Sequence, residues 1–347
     1  VTLTRATTDL STAAFTHAGD VLINDTNALR LGASNITGTL GVTTRGPISS
    51  SGALTVSGTT TLTANNGGFG YADPYINLST ANDFQGDVSL SVPSLGDTGT
   101  GGYATINDTN SINFSGVTVG NNFTVTANGA VTDSGTVMVP NFTSITAGAA
   151  NDVTLDSAAN NFNFIRVATA DDVVLNDTNA LQFGYYSSGP NTISGDLSVT
   201  AGGDISQFGY NTYAAPYDSR LLVTGDSVFT VTAANSNLFL GYVNPLDTSY
   251  GLANNFAGTV TIAKSGAGSY QDVYLRNVST STAQIIGLAT VGTLRDVALR
   301  YDNAAGVELP GMTLSRDLSL SAPSGSITQA GALIVPGKTM LRAYRHT

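Results

Sequence analysis

The stretch DVVLNDTNALQFG, Asp172–Gly184, reads as a short apolar strand, a polar corner and a second short apolar strand. Two further copies carry the same order: VLINDTNALRLG from Val21 and ATINDTNSINFS from Ala104. The tetrapeptide NDTN therefore stands at Asn24–Asn27, Asn107–Asn110 and Asn176–Asn179, and a motif recurring with its flanks marks a repeat architecture.

A second signature spaces the coils. Asp, then Val or Leu, any residue and an aliphatic recurs as DVTL at Asp152, DVVL at Asp172, DLSV at Asp196, DVYL at Asp272, DVAL at Asp296 and DLSL at Asp317. From Asp152 to Asp172 to Asp196, and from Asp272 to Asp296 to Asp317, the copies lie 20 to 24 residues apart, which is one coil. Within a coil the apolar residues alternate, as in Leu197 and Val199 between Asp196, Ser198 and Thr200, so short strands separated by Gly, Asn and Asp corners are expected. No stretch sustains a helical period.

Composition agrees. The chain has 347 residues with only 11% charged; Glu308 is its single Glu, and Lys264 and Lys338 are its only Lys, so strong helix formers nearly vanish. Thr, Ser, Val, Asn and Gly replace them, the chemistry of strands and turns. A hydrophobic share of 41% argues against disorder and supplies a core. A four- or five-residue strand cannot bury its apolar face alone, so each coil must stack on the next. The expected fold is all-β, a right-handed parallel β-helix of about 15 coils at about 4.8 Å each. It is expected as a single shaft over 1–347, with internal repeats around 20–64, 103–160, 172–209 and 296–340.

Irregular insertions interrupt that rhythm at 67–76, 183–191, 208–220 and 239–252, all rich in Tyr, Gly and Pro. They carry Tyr71, Tyr75, Tyr185, Tyr186, Tyr210, Tyr213, Tyr217, Tyr242 and Tyr250, the candidate contacts for a glycan or protein partner, because an exposed Tyr stacks on sugars and donates a hydrogen bond. The NDTN corners are expected along one edge. Their last residues, Asn27, Asn110 and Asn179, are the candidates for an inward Asn ladder, since Asn tolerates left-handed backbone and bonds both ways to the adjacent coil. Asp25, Asp108 and Asp177 are expected to face solvent as turn formers.

The combination of DVxLNDTNAL, SGDLSVTAGGDISQFG (Ser194–Gly209) and SGALTVSGTTTLTA (Ser51–Ala64) resembles the repeats of filamentous-haemagglutinin-type adhesins, the exported partners of two-partner secretion systems. That resemblance implies an extracellular or cell-surface protein acting in adhesion, aggregation or biofilm formation. The family's N-terminal secretion domain is not visible in Val1–Asp20, and the start at Val1 reads as a processed or excised segment.

Other chemistries find less support. The net charge of −11 with scattered Arg leaves no basic stripe for nucleic acid, and no apolar run of about 18 residues is present to cross a bilayer. His17 and His346 lie at opposite ends of the sequence, too far apart for a shared catalytic or metal site, and no cofactor is expected. Polysaccharide lyases on β-helices need convergent carboxylates. Asp171 and Asp172 point to opposite faces if that segment is extended, whereas Asp152 and Asp172 recur at the turn position that starts strands throughout. A non-catalytic role is expected, with self-association into filaments and a polysaccharide-active enzyme as the alternatives.

Overall fold

The computed structural model describes residues 1–65, 74–93, 102–186, 188–209, 218–241, 253–278, 280 and 285–343. Two compact units, Val1–Asn163 and Phe164–Thr347, are each taken by themselves. Every regular element among the described residues is a β-strand, and the pairings are parallel, so the chain is a parallel β-solenoid of stacked coils. No helix among the described residues is long and apolar enough to cross a membrane.

In the first unit three strands make a coil: Val21–Asn24, Leu29–Leu31 and Ser34–Ile36. Each starts its own ladder. Val21 pairs with Leu40, Leu40 with Thr60, and Thr60 with Val88; Leu29 pairs with Ile48 and Ile48 with Ile76; Leu54 stands opposite Ser34. Alternation points every second side chain into the bore, where Val21, Ile23, Leu29, Leu31 and Ile36 are buried. Each such aliphatic contributes roughly 1.5–3 kcal/mol on burial, and in-register stacking repeats the gain coil after coil.

Corners hold the coils together through side-chain acceptors. Asp20 Oδ1 accepts the backbone N–H of Thr39, 19 residues on, at 2.8 Å. In the second unit Asp172 accepts from Asp196, 24 residues on; Asp196 from Asp226, 30 residues on; and Asp226 from Thr259, 33 residues on, each at 2.7 Å. Coil length thus reaches beyond the expected 20 to 24 residues, because insertions lengthen corners while strands keep their register. The Gly before each acceptor strand is a steric requirement. A Cβ on Gly195 would lie 2.0 Å from Asp172 Oδ1, and one on Gly225 would lie 2.1 Å from Asp196 Oδ1.

The NDTN corner reverses the expected roles. Asp25, Asp108 and Asp177 are buried, whereas Asn27 is half-buried and Asn110 and Asn179 are exposed. Asp108 Oδ1 accepts from Asn110 N–H and its Oδ2 from Phe84 N–H in the preceding coil, both at 2.9 Å; Asp25 does the same with Asn27 and Leu10. A carboxylate serves two backbone donors at once, which an amide oxygen serves less well, so the Asp takes the inner position. Burial pushes the Asp108 carboxyl above the ordinary range, against those two bonds. Asn27 and Asn110 instead bridge on the outside, each donating to a carboxylate one coil back, Asp9 and Asp83, at 2.8 Å. One coil on, the same inward position holds Ala127 opposite Asp108 and Ala201 opposite Asp177. In these two copies the small residue leaves room for the carboxylate.

Inward amides do exist, at other positions. Asn82, Asn160, Asn191, Asn254 and Asn277 are fully buried, and each Oδ1 accepts a backbone N–H from the coil before: Leu54, Val137, Val167, Leu221 and Phe256.

Nor do the NDTN corners share one edge. The strand leading into the second copy, Tyr103–Asp108, pairs through Ile76 and Ile48 with Leu29, the strand that follows the first copy. In the second unit the Asp296–Tyr301 strand, which leads to Asn303, lies in the ladder Leu181, Ile205, Leu238, Val273, Val297, and Leu181 follows the third copy. Within each unit, therefore, the next repeat begins one face further round the coil.

Candidate functional site: a loop-bearing corner of the second unit

Three successive coils of the second unit interrupt the same ladder at the same end. The strands Leu181–Phe183, Ile205–Gln207 and Ser236–Leu240 run in register, and each is followed by an insertion. Gly184, Gly209 and Gly241 stand at those exits with φ of 79°, 75° and 88°, a left-handed backbone that favours glycine and turns the chain off the coil. A Cβ on Gly184 would also lie 2.4 Å from Ser219 Cβ.

A buried amide cluster fixes where the chain returns. Gln207 Nε2 donates to Ser219 O at 2.8 Å and to Asn254 Oδ1 at 2.7 Å, and Asn254 Nδ2 donates back to Gln207 Oε1 at 3.0 Å. Asn191 Nδ2 reaches Ser219 O at 3.3 Å, and Ser219 Oγ donates to Phe208 O at 2.8 Å. These four side chains are at most 1% exposed, and together they tie the roots of all three insertions. A satisfied buried network of this kind costs little to fold and is hard to deform.

Aromatic rings cover the corner outside that cluster. Tyr185 lies 4.9 Å from Phe164 and 5.8 Å from Phe208; Tyr186 meets Tyr185 edge-on at 4.6 Å and Phe208 at 4.9 Å; Phe164 and Phe208 are 5.7 Å apart. Tyr186 remains 52% exposed and holds φ at 38°, a strained value for a side chain of its size. Two residues along the strand from Phe164, Arg166 presents its guanidinium on the same outward face. Its Nε donates to Pro190 O at 3.1 Å and Gly189 O at 3.3 Å, and burial lowers its affinity for the proton while Asp218 raises it. Arg220 holds Asp218 by two bonds of 2.8 Å, keeping that carboxyl below the ordinary range.

Of the tyrosines marked in sequence, Tyr185 and Tyr186 come together here. Tyr75 lies in the first unit, where it stacks face to face on Tyr103 of the next coil at 4.9 Å; burial, then the neighbouring Tyr75, pushes the Tyr103 phenol up. Tyr71, Tyr210, Tyr213, Tyr217, Tyr242 and Tyr250 lie outside the described residues. Phe164, Phe208, Arg166 and the amide cluster escaped sequence reading. The signal was present in FGY at Phe183 and Phe208 and LGY at Leu240, the same Gly-Tyr exit in three coils.

The acidic positions resolve differently. Asp171 and Asp172 sit at a bend and not in an extended strand, with Ser194 Oγ 3.3 Å from Asp171 Oδ1 and Asp196 N–H on Asp172. Among the described residues no three His, Cys, Asp or Glu cluster to hold a metal. His17 is exposed, and His346 lies outside the described residues.

A family model described as repeats of unknown function (DUF5649) matches residues 18–91, 101–169, 170–263 and 294–346, and the chain belongs to that family. Each of the first three segments contains one NDTN corner, and the fourth contains Asn303. Neither a curated protein nor a solved structure matches the chain.

Proposed function

We propose that this chain is a non-catalytic adhesive segment of an exported bacterial surface protein of the filamentous-haemagglutinin type, a β-solenoid whose Tyr-rich insertions bind neighbouring cells. The observation that carries this reading is the corner of the second unit, where insertions leave three consecutive coils and are pinned by one buried amide cluster. Loops raised on a rigid frame are where proteins place recognition, and regular coils elsewhere serve as frame. The corner carboxylates Asp172, Asp196 and Asp226 are absorbed in backbone bonds that join coils, a structural use of the residues an enzyme would need.

Beads coated with the purified chain test the reading. Adhesion to cells or aggregation of cells, lost when the 184–190 insertion is replaced by a short Gly-Ser turn, is the expected result. Open-ended polymers in electron micrographs, with no adhesion, would make the chain a filament subunit. Release of reducing sugar from a polysaccharide panel, abolished by Asp172→Asn, would make it an enzyme.

A further inference from the structure

We propose that the aromatic corner of the second unit binds an acidic saccharide, with sugar rings against Tyr186 and Phe208 and a sugar carboxylate at Arg166. The inference rests on the adhesive reading above and names the class of ligand it would take.

Chemistry narrows the occupant. Four aromatic side chains, Phe164, Tyr185, Tyr186 and Phe208, are joined by ring contacts each under 6 Å, and Tyr186 among them, 52% exposed, offers an apolar ring with a phenol hydroxyl. That mixture suits the alternating C–H and hydroxyl surface of a pyranose. Charge then selects among saccharides. Arg166 is fixed through Nε by two backbone carbonyls, and among the described residues its terminal nitrogens donate to no carboxylate. Asp218, the carboxylate whose field reaches Arg166, is already held in two bonds by Arg220. Among the described residues two guanidiniums thus share one carboxylate, a local positive excess in a chain of net charge −11. A planar guanidinium with free terminal donors is matched by a carboxylate. A neutral glycan would leave that charge unanswered, and a basic protein surface would be repelled by it.

The backbone supports a binding role for Tyr186 in particular. Its positive φ is strained for an L side chain, and Tyr186 is more than half exposed, so it does not hold its conformation by filling a core. Strain of this kind persists where surrounding structure holds a side chain out, and the two flanking bonds, Tyr185 N–H to Ser188 Oγ and Ser188 N–H to Tyr185 O, both at 3.0 Å, do so here.

Calorimetric titration of the full chain with a hexameric oligogalacturonate, and with cellohexaose as the neutral probe of equal length, tests the proposal. Binding of the acidic probe is expected, weakening as salt rises, with the neutral probe bound at least about tenfold more weakly. Tyr186→Gly relieves the strained φ and so leaves the fold intact by circular dichroism, yet lowers affinity about tenfold. Arg166→Gln removes the preference for the acidic probe. Equal binding of the two probes, or an unchanged affinity in Tyr186→Gly, would overturn the proposal, as would failure of oligogalacturonate, alginate and sialylated oligosaccharides alike to bind. Cell adhesion that survives Tyr186→Gly while no saccharide binds would remove the saccharide site and leave the adhesive reading; saccharide binding without adhesion would do the reverse.

Discussion

Two corner columns of the second unit use the same residue for the same task by different chemistry. In the first, Asp172, Asp196 and Asp226 are exposed, and each carboxylate folds over a Gly of the next coil, Gly195, Gly225 and Gly258 in turn, to clip the N–H of the residue after it. In the second, Arg295 and Arg316 stand where that Gly would be. Arg295 Nε donates to Asp272 at 2.9 Å and Arg316 Nε to Asp296 at 2.7 Å, so that guanidinium and carboxylate alternate from coil to coil. Asp272 and Asp296 are buried there, and their partners' guanidiniums hold their protons more tightly than usual. The clip is still made beneath the ion pairs, since Asp296 Oδ1 accepts from Asp317 N–H at 3.1 Å. The difference teaches that the backbone clip is the constant of this fold and that charge pairing is added where no glycine opens the corner to water.

Breaking the clip column at its steric point has the largest expected effect. Gly225→Ala drives a Cβ onto Asp196 Oδ1 and to 2.5 Å from Gly195 O, and a loss of about 3 kcal/mol is expected, read by urea unfolding. In the ion-pair column, Asp296→Ala takes the two-bond partner from Arg316 and the acceptor from one amide, and removes the second carboxylate beside Arg295, which keeps Asp272. Its melting temperature should fall further than that of Asp196→Ala, and the deficit should shrink in high salt, where screening weakens the lost pairs. Asp196→Ala itself removes one exposed acceptor and should cost about 1 kcal/mol, with faster hydrogen exchange at the Asp226 amide. A rise of about 1 kcal/mol is expected from Ser227→Val, because that buried hydroxyl lacks a partner between Leu197 and Val260.

A third chemistry, the buried carboxylate of Asp108, sharpens the contrast through pH. Its folded-state pKa is raised above the unfolded 3.8, so the stability it contributes is fully present below that value and is lost as pH rises through the folded pKa. Wild type should therefore gain stability relative to Asp108→Ala on acidification from neutrality toward about pH 4, measured by thermal melts across that window.

Much of the fold was legible because period-two alternation with Gly and Asp corners admits few other structures. The same alternation also carried the answer for the NDTN corner: with Val21 and Ile23 inward, Asp25 is inward by count, and the rule that carboxylates face water hid it. The change of face between repeats was not legible, because insertions of differing length conceal how many strands separate two copies. Of the candidate site, the tyrosines were visible by composition, whereas Phe164 and Arg166 are outward positions of one ordinary strand and Gln207 the inward end of another, and they become neighbours of the insertions only through stacking.

The one-face offset between repeats bears on how such chains diversify. Duplicating a single repeat within one unit would keep the ladders in register yet swing that unit's later corners about a third of a turn. Three such events restore the original facing. Within a unit, repeat number is thus an angular setting that decides which side of the coils carries a given corner.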